Sequence, residues 1–124
     1  MVDGRTRGNG NIRGDTHRDI HRDIRGDGVI GVDIGTTGAK AVLLDAEGRV
    51  RAEAGEEYPT RFVEPNGAEQ DPDDWWAATC RCVRSVLGQS GVDPAGIGGV
   101  GISSQAPSVV VVDTTGAPVR PALL

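Results

Sequence analysis

Gly31-Val32-Asp33-Ile34-Gly35-Thr36-Thr37-Gly38-Ala39-Lys40 is the stretch whose reading decides the fold. Val29 to Val32 reads as a buried strand, Asp33 stands where that strand should end, and Ala39 to Leu44 reads as a second strand returning beside it. The Gly/Thr turn between them leaves backbone N–H groups and two hydroxyls at a hairpin tip. Such a cluster of donors is a concave anion site, suited to the phosphates of a nucleotide. An acid at its base can hold magnesium, directly or through water, because that hard cation takes oxygen ligands and keeps several waters. Lys40, the only lysine beside twelve arginines, lies just past the turn. The loop is not a P-loop, since Gly38 and Lys40 are separated and strand residues follow; the Gly-x-Gly-x-x-Gly spacing of a dinucleotide loop is also missing. The alternative is an ordinary β-hairpin whose glycines serve turn geometry alone.

Working outward, Asp45-Ala46-Glu47-Gly48 reads as a turn into a third strand, Arg49 to Glu57. Tyr58 to Gln70, with Pro59, Pro65 and Asn66-Gly67, reads as a loop. Asp71 is a good N-cap, Pro72 suits the first helical position, and Asp73 and Asp74 place negative charge at the positive helix end. Trp76, Cys80, Val83 and Leu87 then recur at helical spacing, with Trp75, Cys82 and Val86 widening the stripe and Gly88 as a natural stop. Trp75 and Trp76 are read as core packing, because large aromatics mostly supply buried area. Cys80 and Cys82 point roughly 200° apart on a helix, a poor geometry for a shared metal or a mutual disulfide. Ile97 to Ser103 reads as a Gly-rich buried strand and Val109 to Val112 as a short apolar one, ended by the Asp113-Thr114-Thr115-Gly116 turn. Glycines 98, 99 and 101 suggest close approach by another backbone or a ligand.

The order is thus β-β-β-α-β, an α/β arrangement. Sites in open α/β sheets gather at the carboxyl ends of strands, so Asp33 and Ser103 to Pro107 are expected to face one cleft. A length of 124 residues allows one small domain or part of a larger one. From residue 29 onward thirteen acids and seven bases give a net charge of −6, which speaks against nucleic acid or an anionic membrane as partner. No apolar run is long enough to span a bilayer or act as a secretory core, and the cytoplasm is the expected location. Residues 1–28 differ: six Arg, five Asp and six Gly surround the tandem His17-Arg18-Asp19-Ile20 and His21-Arg22-Asp23-Ile24. Such low-complexity sequence is expected to be a disordered tail. A metal site at His17 and His21, or adhesion mimicry by the two Arg-Gly-Asp triplets, is a weaker reading.

Asp33-x-Gly35-Thr36-Thr37-x-x-Lys40 resembles the first phosphate motif of the actin/hexokinase/Hsp70 ATPase superfamily. Ala68-Glu69-Gln70-Asp71-Pro72-Asp73-Asp74-Trp75-Trp76 resembles the segment preceding the first helix in xylulokinase-like members of the FGGY carbohydrate kinases, and Gly101-Ile102-Ser103-Ser104-Gln105 resembles the strand end where that family contacts its sugar. Order and spacing of all three agree over residues 29–124. The resemblance implies a ribonuclease-H-like fold, here the N-terminal part of a two-domain kinase that moves the γ-phosphoryl of ATP to a sugar or polyol hydroxyl with Mg2+. By matched position, Asp33 would support the magnesium and the reacting oxygen. Gly35, Thr36, Thr37 and Gly38 would line the phosphates with Lys40 as a point cation, and Ser104, Gln105, Ala106 and Pro107 would lie against the sugar. A strand-end cap is the equal alternative for Gln105. The partners implied are the sugar or polyol, the remaining C-terminal part of the kinase and, at full length, a second copy in a homodimer.

Three departures from the family pattern bear on this. Xylulokinases have Met-His after the glutamine and glycerol kinases Arg-Glu, whereas this chain has Ala106-Pro107, which puts both familiar substrates in doubt. The sequence ends at Leu124, where members continue into a Trp-x-Asp-x-Arg segment. The catalytic-base aspartate and the adenine-binding domain are not in it, so the 124 residues alone are expected to be inactive. A second class therefore stays open, a non-catalytic nucleotide-binding or interaction module. A Ser-His-Asp hydrolase around Ser103 or Ser104 is disfavoured, because both histidines lie in residues 1–28. An acyl-CoA dehydratase activator would need iron–sulfur cysteines that Cys80 and Cys82 do not supply.

Overall fold

In a computed structural model, which describes residues 26–124, the first hairpin forms as its sequence dictates. Strand β1 (Gly28–Ile34) pairs antiparallel with β2 (Gly38–Asp45), and β2 pairs with β3 (Val50–Glu57). After α1 (Pro72–Ser90) and a single 3-10 turn (Pro94–Gly96), the chain returns as β6 (Ile97–Ser104), parallel to β1. The sheet order is β3-β2-β1-β6. A parallel neighbour needs a long crossover, and α1 supplies it by lying over β3 and β2 and touching β1. This is the expected β-β-β-α-β order.

Alternation decides what the sheet buries. Ile30, Val32, Ala39, Ala41, Leu43 and Ala52 point under α1 and form one core with Ala78, Cys82 and Val86 of the helix. The helix face is rotated from the expected stripe: Ala78 and Thr79 are buried, whereas Trp76 is 71% exposed and Cys80 only half-buried. Small side chains at 78 and 79 let the helix approach the sheet, and they carry little signal in a hydrophobicity pattern. Trp75 does pack against the core. Asp71 caps the helix as expected, its carboxylate accepting from the Asp73 N–H at 3.0 Å. The helix passes Gly88 and ends at Gly91, whose φ of 68° is the left-handed cap that favours glycine.

Residues 58–70, read as a loop, contain β4 (Arg61–Val63) and β5 (Gly67–Gln70), which join β7 (Ala122–Leu123) in a second sheet, β4-β5-β7. Val109 to Val112 is not a strand. It makes only the bridges Val109↔Leu123 and Val112↔Pro118, and its valines are exposed. β6 forms as expected but is not buried, with Val100 57% and Ile102 68% exposed, because no described residue covers it. The turns at Asp45–Gly48 and Asp113–Gly116 share one chemistry. Each aspartate accepts N–H groups two and four residues on, and the closing glycine has positive φ. Those hydrogen bonds lower the pKa of both carboxyls, led by the Arg49 N–H for Asp45 and by the Thr115 hydroxyl for Asp113. The His17/His21 metal reading, the tandem repeats and the first Arg-Gly-Asp triplet lie outside the described residues. Of the second triplet, Asp27 donates its N–H to Gly96 O at 2.6 Å.

Candidate phosphate and acceptor site

Asp33 lies one residue from the end of β1, opposite Lys40 on β2 and Ser103 on β6. Residues directly opposite share a face, so Gly55, Lys40, Asp33 and Ser103 form one row across the four strands. Glu53, Val42, Gly31 and Gly101 form the row beneath. Both rows line an open trough of about 810 Å³ on the face away from α1. The glycines keep its floor low. Asp33 and Lys40 are exposed, and among the described residues neither enters an ion pair.

At the hairpin tip, three consecutive carbonyls are tied inward. Gly35 O accepts from the Tyr58 hydroxyl and Thr37 O from the Tyr58 N–H at 3.3 Å. Thr36 O accepts from Gln70 Nε2 at 2.7 Å and from Thr60 Oγ1 at 3.4 Å. With the acceptors engaged, the Thr36 and Thr37 N–H groups take no part in the loop hydrogen bonds among the described residues, and their side chains are exposed. Burial raises the Tyr58 pKa, and the Asp33 charge adds to it, so the phenol stays a neutral donor. Gly38 has a structural reason of its own: a Cβ there would fall on the Glu56 carbonyl oxygen of β3.

The end of β6 lies one strand over. The Gln105 backbone N–H donates to Ile34 O at 2.8 Å, and its side-chain Nε2 donates to Gln70 Oε1 at 3.0 Å. Ser104 pairs with Ile34 and therefore has the opposite parity to Asp33; Ser103 is the serine of the pair that joins the trough. Ala106 and Pro107 follow as exposed residues beyond the strand, joined by a cis peptide. The trough thus gathers Asp33, Lys40 and Ser103, with Thr36 and Thr37 at the adjoining tip and residues 104–107 past the rim.

Sequence patterning does not single out Tyr58, Thr60 or Gln70 as site residues, although Gln70 stands inside the Glu69-Gln70-Asp71-Pro72 segment. Its neighbour Glu69 is buried on the other side of β5 and receives Arg61 and, at 2.6 Å, Arg120. The Arg61 hydrogen bond, followed by that of Arg120, holds the Glu69 pKa below its ordinary value. Among the described residues no group of three or more His, Cys, Asp or Glu could cage a metal. A lone carboxylate beside a phosphate site still fits magnesium, which binds through one or two carboxylates together with phosphate oxygens and water. No described helix is long and apolar enough to cross a membrane.

The description "FGGY family of carbohydrate kinases, N-terminal domain" matches residues 28–124. The chain is 35% identical over 97 residues to a glycerol kinase of Roseobacter denitrificans, covering 77% of this chain and 20% of that one. Against a glycerol kinase of Bacillus subtilis the identity is 32% over 97 residues, with the same shares of 77% and 20%. Among solved structures it is similar to the xylulose kinase from Rhodospirillum rubrum (TM-score 0.70, 31% identity), covering 77% of this chain and 20% of that one. A xyloylose kinase from Brucella ovis gives TM-score 0.74 and 28% identity, covering 78% and 20%. The chain spans about a fifth of the length of these relatives.

Proposed function

Since this chain belongs to the FGGY family of carbohydrate kinases, we propose that it is the N-terminal portion of an ATP-dependent enzyme that transfers the γ-phosphoryl group to a sugar or polyol hydroxyl in the cytoplasm, and that it is inactive alone. The observation that carries this reading is the hairpin tip, with carbonyls tied inward and donors outward, standing next to Asp33. Phosphoryl transfer depends on positioning and charge neutralisation more than on covalent chemistry. The Thr36 and Thr37 N–H groups and hydroxyls grip phosphate oxygens. Lys40, a strongly hydrated point charge, draws the polyphosphate toward the trough. Asp33 is the residue to hold a nucleotide-borne magnesium, which when bound neutralises phosphate charge. Ser104, Gln105, Ala106 and Pro107 border the acceptor, and the base that takes its proton comes from sequence beyond these residues.

The alternative reading is a nucleotide-binding module without catalysis. An immunoblot of source cells against residues 29–124 separates the two. A band several times heavier than 12.9 kDa supports the kinase, and one near 12.9 kDa the module. In either case the 124-residue chain assayed with Mg–ATP and a panel of pentoses, hexoses and polyols is expected to give no turnover. Turnover that Asp33→Ala abolishes would show that the chain is catalytic unaided.

A further inference from the structure

We propose that Gln70 is the positioning residue that sets the spacing between the phosphate-gripping hairpin tip and the acceptor end of β6; its effect on transfer rests on the kinase reading above. Gln70 is 2% exposed, and its amide is used to capacity. Nε2 donates to Thr36 O at 2.7 Å and to Thr60 Oγ1 at 2.6 Å, while Oε1 accepts from Trp75 Nε1 at 2.8 Å and Gln105 Nε2 at 3.0 Å. An indole N–H can only donate, so Trp75 fixes which end of the amide is oxygen, and the other end must then donate to Thr36.

Trp75 belongs to the first turn of α1, capped by Asp71, the residue next to Gln70. The hairpin tip and Gln105 are therefore both referenced to the helix through one side chain. Glutamate would set a second acceptor against Thr36 O, and leucine would remove one hydrogen bond from each of four groups at once. Phosphoryl donor and acceptor sit on different segments, and transfer needs reacting atoms about 3–3.5 Å apart; a misplacement of about 1 Å costs on the order of a hundredfold in rate.

Two measurements test this. In 15N NMR spectra of the 124-residue chain, Gln70→Leu is expected to shift the Trp75 indole N–H, the Gln105 side-chain amide and the Thr36 and Thr37 amides together, with the exposed Trp76 indole as internal reference. Gln70→Glu is expected to shift the Thr36 and Thr37 amides while leaving Trp75 and Gln105 near their original positions, and it carries the test should Gln70→Leu fail to fold. Equal movement of all four groups in Gln70→Glu, or an unmoved hairpin in both variants, overturns the hub. In the complete polypeptide, ATP hydrolysed per acceptor phosphorylated is expected to rise about tenfold in Gln70→Glu, a ratio that the folded fraction does not alter. An unchanged ratio alongside the NMR pattern overturns the positioning role. A wild-type polypeptide that phosphorylates no acceptor while its chain shows the NMR pattern overturns the kinase reading and leaves the hub standing.

Discussion

Beneath α1, strands β1 and β2 present Ile30, Val32, Ala39, Ala41 and Leu43, none more than 4% exposed. The intervening residues of the same two strands, Gly31, Asp33, Lys40 and Val42, line the trough. One face is aliphatic and closed; the other has glycine, opposite charges and open space. Strand alternation of period two thus divides the labour within one short hairpin. The side chains that pack under α1 and those that face the trough occupy alternate positions.

The largest way to test that division is Leu43→Ala. Leu43 is wholly buried, and the substitution should cost about 3 kcal/mol, read as a lower urea midpoint at unchanged slope. A cost below about 1 kcal/mol would mean that the core is not under α1. Acid stability sharpens the comparison next. A carboxyl whose pKa is lowered on folding adds stability that is complete above its unfolded value and lost as the pH falls through the folded one. For Glu69 that loss begins below its ordinary value of 4.5, as it does lower down for Asp45 and Asp113. Urea melts across that range should therefore show stability falling on acidification, and less steeply in Glu69→Gln than in wild type. The smallest effect belongs to β6, where Ile102 shares the face of Val32 but is left 68% exposed, so Ile102→Lys should leave stability within about 0.5 kcal/mol. A large loss there would mean that this face is covered in solution.

The first hairpin, the helix cap and the element order were legible because each rests on local chemistry: a Gly/Thr turn between apolar runs, and an aspartate followed by proline. β4 and β5 were not, because a three-residue and a four-residue strand are held by a partner, β7, some fifty residues later, and by Arg120 reaching back to Glu69. The helix face was misjudged for a related reason. Two tryptophans dominate any apolar count, yet the sheet accepts Ala78 and Thr79 and leaves Trp76 outside. Asp33 and Lys40 were readable as a pair around the turn, whereas Tyr58 and Gln70 act through carbonyls that the sequence does not display.

Glu69 and Gln70 sit side by side on β5 and turn to opposite sides, one an anion between two arginines, the other a neutral amide under the hairpin. They differ by a single atom group, and their places are not exchangeable. Deleting one residue within β5 would trade them: a carboxylate would press against the Thr36 carbonyl, and two guanidinium groups would face an uncharged partner. The four residues of this strand therefore behave like a two-sided key, whose fit depends on counting as much as on chemistry. A single-residue indel here would be harder to accommodate than many substitutions in the core.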